Sequence, residues 1–341
     1  MEQPSQLRAF RLTPVAETGG RFGDFAPYVA SVNDAGTVAF QASLRSGGSG
    51  VFAGDGGPVS SVAESGGGGF GGVYSHPDLN RGGALCFYGS LRPGGQAVFL
   101  AAGGALEVVA MDEGPLGAIG PLGPTMNDEG RVAFRAALRS GGEGVFTGGR
   151  GPVVTVADTR GAFSGFQGLP VINREGTVVF RADLKAGGQG IYTGRGGALT
   201  RIAETGDLFS DLALFPAIND EGTVAFAASL RGGGAGVFAV SARGTATLVA
   251  DRGPFESFRG PLINRAGLVA FCATPRGGRL GIFGGPDPVG DRIIGLGDPL
   301  LGSTVADFAL NPVSVNEAAQ LAVRVRLADN RQVILRVDPL P

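Results

Sequence analysis

Hydrophobic and polar positions alternate along this chain in one pattern that recurs seven times. An apolar residue and Asn are followed by two variable residues and Gly, then by a strand-like run ending in Ala-Phe. It reads VNDAGTVAF at 32–40, LNRGGALCF at 79–87, MNDEGRVAF at 126–134 and INREGTVVF at 172–180. It continues as INDEGTVAF at 218–226, INRAGLVAF at 263–271 and a degenerate VNEAAQLAV at 315–323. The anchoring residues are Asn33, Asn80, Asn127, Asn173, Asn219, Asn264 and Asn316, spaced by 47, 47, 46, 46, 45 and 52. Each unit predicts four short strands. The first ends at the Asn, and the second is a run such as Thr37 to Leu44. A Gly-Gly turn leads to a third, such as Val145 to Thr147, and a Gly-rich turn to a fourth, such as Val153 to Ala157. No unit carries a helix-length apolar pattern with caps, so the class is all-β. Four antiparallel strands repeating every ~45 residues predict a seven-bladed β-propeller, one domain over residues 1–341.

Two further features predict a closed ring. Pro lies three residues before the Asn in five units, as Pro77, Pro124, Pro170, Pro216 and Pro261. Proline cannot donate to a ladder, so it fits a strand with a free edge, as the innermost strand of a blade has. The seventh unit ends after three strands, the last near Gln332 to Val337. LTPVAETG at 12–19 matches LTRIAETG at 199–206 and supplies the missing fourth. Pairing the termini would remove an exposed sheet edge.

The repeat resembles that of the bacterial NxxGxxAF tandem-repeat proteins over nearly the whole chain. The seventh unit departs from it with Ala319 for Gly and Val323 for Phe. That resemblance implies no general activity; it implies a cell-surface or extracellular location as an alternative. The opening MEQPSQLRAF has neither a basic nor an apolar leader region, so the chain as written is expected in the cytoplasm.

Composition narrows the chemistry. The 341 residues are 43% hydrophobic and 17% charged with net charge −2, so no global field draws nucleic acid or an anionic membrane. No stretch reaches the ~18 apolar residues of a membrane span. Cys86 and Cys272 lie in distant units, which excludes a disulfide framework and a cysteine zinc site. No metal or other cofactor is expected, and a monomer is. The Asn-x-x-Gly element reads as a hairpin turn; Arg174 and Arg265, at positions occupied elsewhere by Asp, argue against calcium loops.

Other repeated positions are assigned to the fold. A basic ring (Arg45, Arg92, Arg139, Lys185, Arg231, Arg276) and an acidic ring (Glu17, Glu64, Asp112, Asp158, Glu204, Asp251) share the face that carries the inter-blade connections. They are expected to form inter-blade ion pairs, with a ligand-steering rim as the sharper reading. Hydrophobic pairs three residues apart, such as Phe22/Phe25 and Phe163/Phe166, are expected to plug each connection onto the blades.

A site is then expected where a unit departs from the pattern. Unit two reads VYSHPDLN at 73–80 and supplies the one His, His76, with Tyr74 and Asp78 nearby. Tyr88 occupies a variable second-strand position that holds Arg135, Arg181 and Arg324 in other units. His76 and Asp78 alternate on one strand face and could do acid–base work. No nucleophile elbow, P-loop or dinucleotide fingerprint is present. With no Trp and four Tyr, stacking platforms for sugars or bases are scarce. The leading expectation is a non-catalytic ligand-binding or protein-interaction propeller using the inter-blade-loop face and channel mouth. Its ligand would meet Arg135, Arg181, Arg324 and His76, and its partner would be a small molecule or protein. The alternative is a lyase, hydrolase or isomerase pocket at the channel mouth using His76, Asp78, Tyr74 and Tyr88 with the arginines. A purely structural or surface-display protein is the second alternative.

Overall fold

The computed structural model describes residues 10–66, 70–149, 151–206, 208–250 and 253–340. The N-terminal nine residues, the glycines at 67–69 and Asp251 lie outside them. Among the described residues every regular element is a β-strand, and the strands form seven antiparallel sheets, one per repeat. The molecule is a seven-bladed β-propeller. In blade three the order from the channel outward is Leu116–Ile119 with Thr125–Met126, then Val132–Leu138, Glu143–Gly148 and Val154–Asp158. The innermost strand is broken in two before the Asn in blades one, two, three and five. In blades four and six it is continuous, with register shifts next to Pro170 and Pro261. The hydrophobic pairs expected in the connections lie in the outer segment of that strand or, for Phe25, just after it, and Phe25, Phe166, Leu212 and Phe255 are wholly or almost wholly buried.

The Phe that ends each repeat motif has a structural cause. It faces an aromatic residue directly across the second and third strands: Phe40/Phe52, Phe87/Phe99, Phe134/Phe146, Phe180/Tyr192, Phe226/Phe238 and Phe271/Phe283. Their rings stack at 5.5–6.1 Å between centroids. In blades one, two, four, five and six a third ring from the innermost strand meets the stack edge-on, as Phe22 does against Phe52 at 4.9 Å. Aromatic cross-strand pairs of this kind stabilise a sheet by about 0.5–1.5 kcal/mol each beyond the area they bury. Blade seven replaces the stack with Val323 opposite Leu335.

The ring closes as the repeat count requires. Phe10–Glu17 pairs antiparallel with Gln332–Pro339, from Phe10 opposite Pro339 to Glu17 opposite Val333, and is the fourth strand of blade seven. Blade seven is also stitched to blade one through side chains. Arg336 donates to the carbonyls of Gly36 and Asp55, and the Gln332 side-chain oxygen accepts from the amides of Phe25 and Ala26.

The Asn of each repeat does two things at once. Its Oδ1 accepts the amide four residues on, at 2.9–3.1 Å in all seven blades, which forms the turn. Its Nδ2 donates to the backbone carbonyl of the Asn in the next blade. The series runs from Asn33 to Asn80, Asn127, Asn173, Asn219, Asn264 and Asn316, and Asn316 returns to Asn33 at 2.7 Å. Seven buried carboxamides therefore form a closed circle of hydrogen bonds around the channel. Asn173→Ala would leave the Thr177 amide unpartnered and remove one of the two donors to the Asn219 carbonyl, which keeps the Gly222 amide. A loss of about 2–4 kcal/mol is expected, read by chemical denaturation.

The Gly of each turn is required by its backbone. Its φ lies between +76° and +83° in the first six blades, and Ala319 holds the same place at +59° in the seventh. A side chain in this left-handed region costs about 1–2 kcal/mol. Ala319→Gly is therefore expected to stabilise the protein by about 1 kcal/mol, visible as a raised Tm with an unchanged denaturant m-value.

Candidate functional site

The sequence led us to expect a pocket on the inter-blade-loop face. A cavity of about 160 Å3 lies at the opposite end of the channel, among the Asn turns, with walls from all seven blades. No inter-blade connection lines it. Three layers build it: the residues after each Asn form the mouth, the Asn circle forms the neck, and inner-strand residues form the wall, Asp78, Val171 and Val313 among them.

The mouth is a collar of alternating charge. The residue after the Asn is, in chain order, Asp34, Arg81, Asp128, Arg174, Asp220, Arg265 and Glu317. Arg81 bridges Asp34 (2.6 Å) and Asp128 (3.9 Å), Arg174 bridges Asp128 (3.5 Å) and Asp220 (3.6 Å), and Arg265 pairs with Asp220 (2.6 Å). Seven positions cannot alternate completely, and the mismatch falls where blade seven meets blade one. There the Glu317 amide, rather than a guanidinium, donates to Asp34 Oδ1 (3.0 Å). Burial raises the Glu317 carboxyl above its ordinary range, with the charge of Asp34 adding to the rise and the Arg265 amide opposing it.

Six of these seven residues form an inter-blade ion-pair belt, on the face opposite the one expected, and Glu317 joins it through the Arg265 amide. On the loop face Arg45, Arg139 and Arg231 instead donate to the carbonyls of Gly19, Leu116 and Gly206. The acidic positions Glu17, Glu64, Asp158 and Glu204 pair with Arg331, Arg21, Arg160 and Arg201. Sequence reasoning missed the collar. Its signal was legible at the position after each Asn once the seven repeats are aligned.

Asp78 is the expected site residue that reaches the cavity wall. It is buried, its Oδ2 accepts the Met126 amide of blade three (2.7 Å), and its Oδ1 accepts the Leu79 amide (2.8 Å). The same register is held by Ser31, Thr125 and Ser314 in other blades. Thr125 accepts the Ile172 amide and donates to the Pro170 carbonyl, and Ser314 donates to the Ala30 carbonyl. The fold therefore needs no more than a hydroxyl at this register. A carboxylate costs desolvation that the hydroxyl avoids. Burial pushes the Asp78 carboxyl up to about 7, Asp128 adds a smaller rise, and the two amides only partly offset it.

The other expected residues do not line this cavity. His76 is buried beside Gly123, where a Cβ would come within 2.4 Å of the imidazole, so blade three must offer glycine. Its Nε2 has no partner among the described residues, and burial drives its pKa down to about 4. Tyr88 is fully buried, accepts the Arg135 amide at its hydroxyl (3.2 Å) and packs 6.2 Å from Tyr74. Burial raises both phenols above their ordinary value.

Of the three arginines expected to meet a ligand, two turn into blade seams and the third pairs within its own blade. Arg135 donates to the Gly168 carbonyl (3.0 Å) and pairs with Glu143 (2.8 Å). Arg181 donates to the Leu212 carbonyl (3.0 Å) and pairs with Asp183 (3.1 Å). Arg324 pairs with Asp307 (3.4 Å). Buried guanidiniums need such partners, and the adjoining blade supplies carbonyls for two of them. Arg135 and Arg181 thereby join neighbouring blades.

Known proteins place this geometry. The sequence matches, over residues 3–146 and 32–333, a family described as a family of unknown function (DUF7453). The chain belongs to that family. No curated protein matches the sequence. Among solved structures, an oligogalacturonate lyase in complex with manganese is similar at 10% identity and TM-score 0.60, covering 97% of this chain and 98% of its own. The polysaccharide lyase Uly1 is similar at 8% identity and TM-score 0.57, covering 94% and 91%. The β-propeller domain of the Trilobed protease from Pyrococcus furiosus is similar at 9% identity and TM-score 0.57, covering 92% and 94%.

Likeness at these identities establishes the propeller fold for this DUF7453 member. It also corrects the leading expectation of a non-catalytic module. Two of these neighbours match nearly end to end and are lyases, so a bare propeller of this length suffices for catalysis. Among the described residues, no three His, Cys, Asp or Glu side chains cluster as metal ligands.

The paired shifts at Asp78 and His76 give a test of the site's electrostatics. The folded Asp78 value exceeds its ordinary 3.8, so its stabilising contribution is lost as pH rises from about 4 to about 7. The folded His76 value lies below its ordinary 6.5, so its contribution is lost as pH falls through nearly the same range. In the wild type the two slopes oppose and nearly cancel. Asp78→Ser leaves His76 alone and should lose up to about 1.4 kcal/mol per pH unit on acidification from 6.5 to 4. Thermal unfolding across that range checks this, and equal slopes in the two proteins would refute it.

Proposed function

We propose that this propeller is an enzyme of the lyase type, with its site at the Asn-turn mouth of the channel. The observation that carries the reading is Asp78, a carboxylate in the cavity wall at a register where other blades need only a hydroxyl or nothing polar. A carboxyl poised near neutral pH suits proton abstraction, since a general base works best with a pKa near the operating pH. Elimination also needs a positive group where a substrate carboxylate gains charge. Arg81, the residue after Asn80 in its turn and lining the same cavity, is placed for that.

In the step itself, a C–H proton next to the substrate carboxylate passes to Asp78. The C=C bond forms as the C–O bond to the leaving group breaks, and the leaving oxygen takes a proton from solvent. His76 has no part in this; it is neutral and packed against Gly123. The lyase neighbours support the reaction class by analogy, and the first probe follows from the one that is an oligogalacturonate lyase.

The expected outcome is formation of an unsaturated product from oligogalacturonate, followed by ultraviolet absorbance. The rate should rise with pH through about 7, because Asp78 must lose its proton to act. Asp78→Ser, which keeps a hydroxyl for the Met126 amide, should lower kcat by about 10²–10⁴ while the protein stays folded. Arg81→Gln should lower kcat/KM with a smaller effect on stability. Full activity in the folded Asp78→Ser protein would refute the assignment.

A further inference from the structure

The shape of the mouth carries a second conclusion, which rests on the proposed function. We infer that the pocket admits only the terminal unit of an extended, hydroxyl-rich, carboxylate-bearing chain, so that the enzyme works from a chain end. A cleft that cuts within a chain is open at two sides, so that the chain enters and leaves across it. Here every blade contributes to the wall, from Asn33 of blade one to Asn316 of blade seven, so the wall runs around the whole ring. An interior unit would have to bring both its continuations through one mouth.

The neck resists widening. Each Asn carboxamide is fixed at its oxygen by its own turn and at its nitrogen by the next blade, and the circle closes on itself. Spreading the neck breaks hydrogen bonds between buried groups, each costly to leave unmade. The volume of about 160 Å3 is also below the roughly 300–1,000 Å3 of pockets that enclose a drug-sized ligand. It accommodates one ring-sized group and not several.

The lining matches such a group chemically. No aromatic residue faces the cavity, so recognition cannot rest on stacking. Guanidiniums and carboxylates alternate around the collar instead, above a ring of carboxamides. Hydroxyls both donate and accept, and so can pair with either partner of that alternation. A substrate carboxylate competes for Arg81, the most exposed of the three collar arginines.

The test uses the full chain and linear oligogalacturonates of defined length, labelled at one end, with products resolved over time. Release of single terminal units, each step shortening the chain by one, is the expected result. The same oligomers capped at both ends with a bulky group should lose most of their turnover. Mid-chain fragments at early times, or undiminished turnover of the capped chains, would overturn the inference and leave the proposed function standing. No turnover of any linear chain would overturn both. Asp78→Ser, run in parallel, should abolish release of terminal units, which ties the products to the cavity.

Discussion

The closed circle of asparagine carboxamides is the constraint on which the rest of this structure depends. Each carboxamide satisfies a turn amide in its own blade and a carbonyl in the next, so turn geometry and blade spacing are set by one side chain. A serine could accept the turn amide but could not also reach across to the next blade. This explains why Asn holds the position in all seven repeats, including the one that has lost its Gly and Phe. The circle also places the site. It sets the residue after each Asn on the rim and brings the residue two before it, Asp78 in blade two, into the channel wall.

Charge follows the same geometry. Alternating Asp and Arg on the rim turns seven like turns into a belt of inter-blade pairs, most of them partly exposed and each worth about 0–1 kcal/mol. An odd ring must break the alternation once. The break falls between Glu317 and Asp34, where the two ends of the chain meet, and this seam carries other polar ties through Arg336 and Gln332. Four acids and three arginines leave the rim almost neutral. A substrate is therefore recognised there by directed hydrogen bonds and ion pairs rather than drawn in by a field.

Much of the fold was legible in the sequence, because periodicity reports it directly. The repeat count, the four strands per blade, the proline edge strand and the closure by residues near 12–17 all follow from spacing and alternation. The site was legible only in part. Rarity drew attention to His76 and variation between repeats to the arginines, but neither says what surrounds a side chain. His76 is enclosed by a glycine of the next blade, and Arg135 and Arg181 are consumed by carbonyls of theirs, partners that come from other repeats. Asp78 stood out as a departure and remains one. The collar was hidden because its meaning lies in comparing one position across all seven repeats, not in any single motif.

The central claim is that the fold buries at Asp78 a carboxylate it does not need, and so holds it near neutrality. The direct measurement is the carboxyl carbon resonance of Asp78, followed by NMR from acid to mildly alkaline pH, with Asp78→Ser to assign it. A midpoint at about 7 is the result predicted here. A midpoint at the ordinary aspartate value of 3.8 would mean an ionised structural residue and would contradict the account.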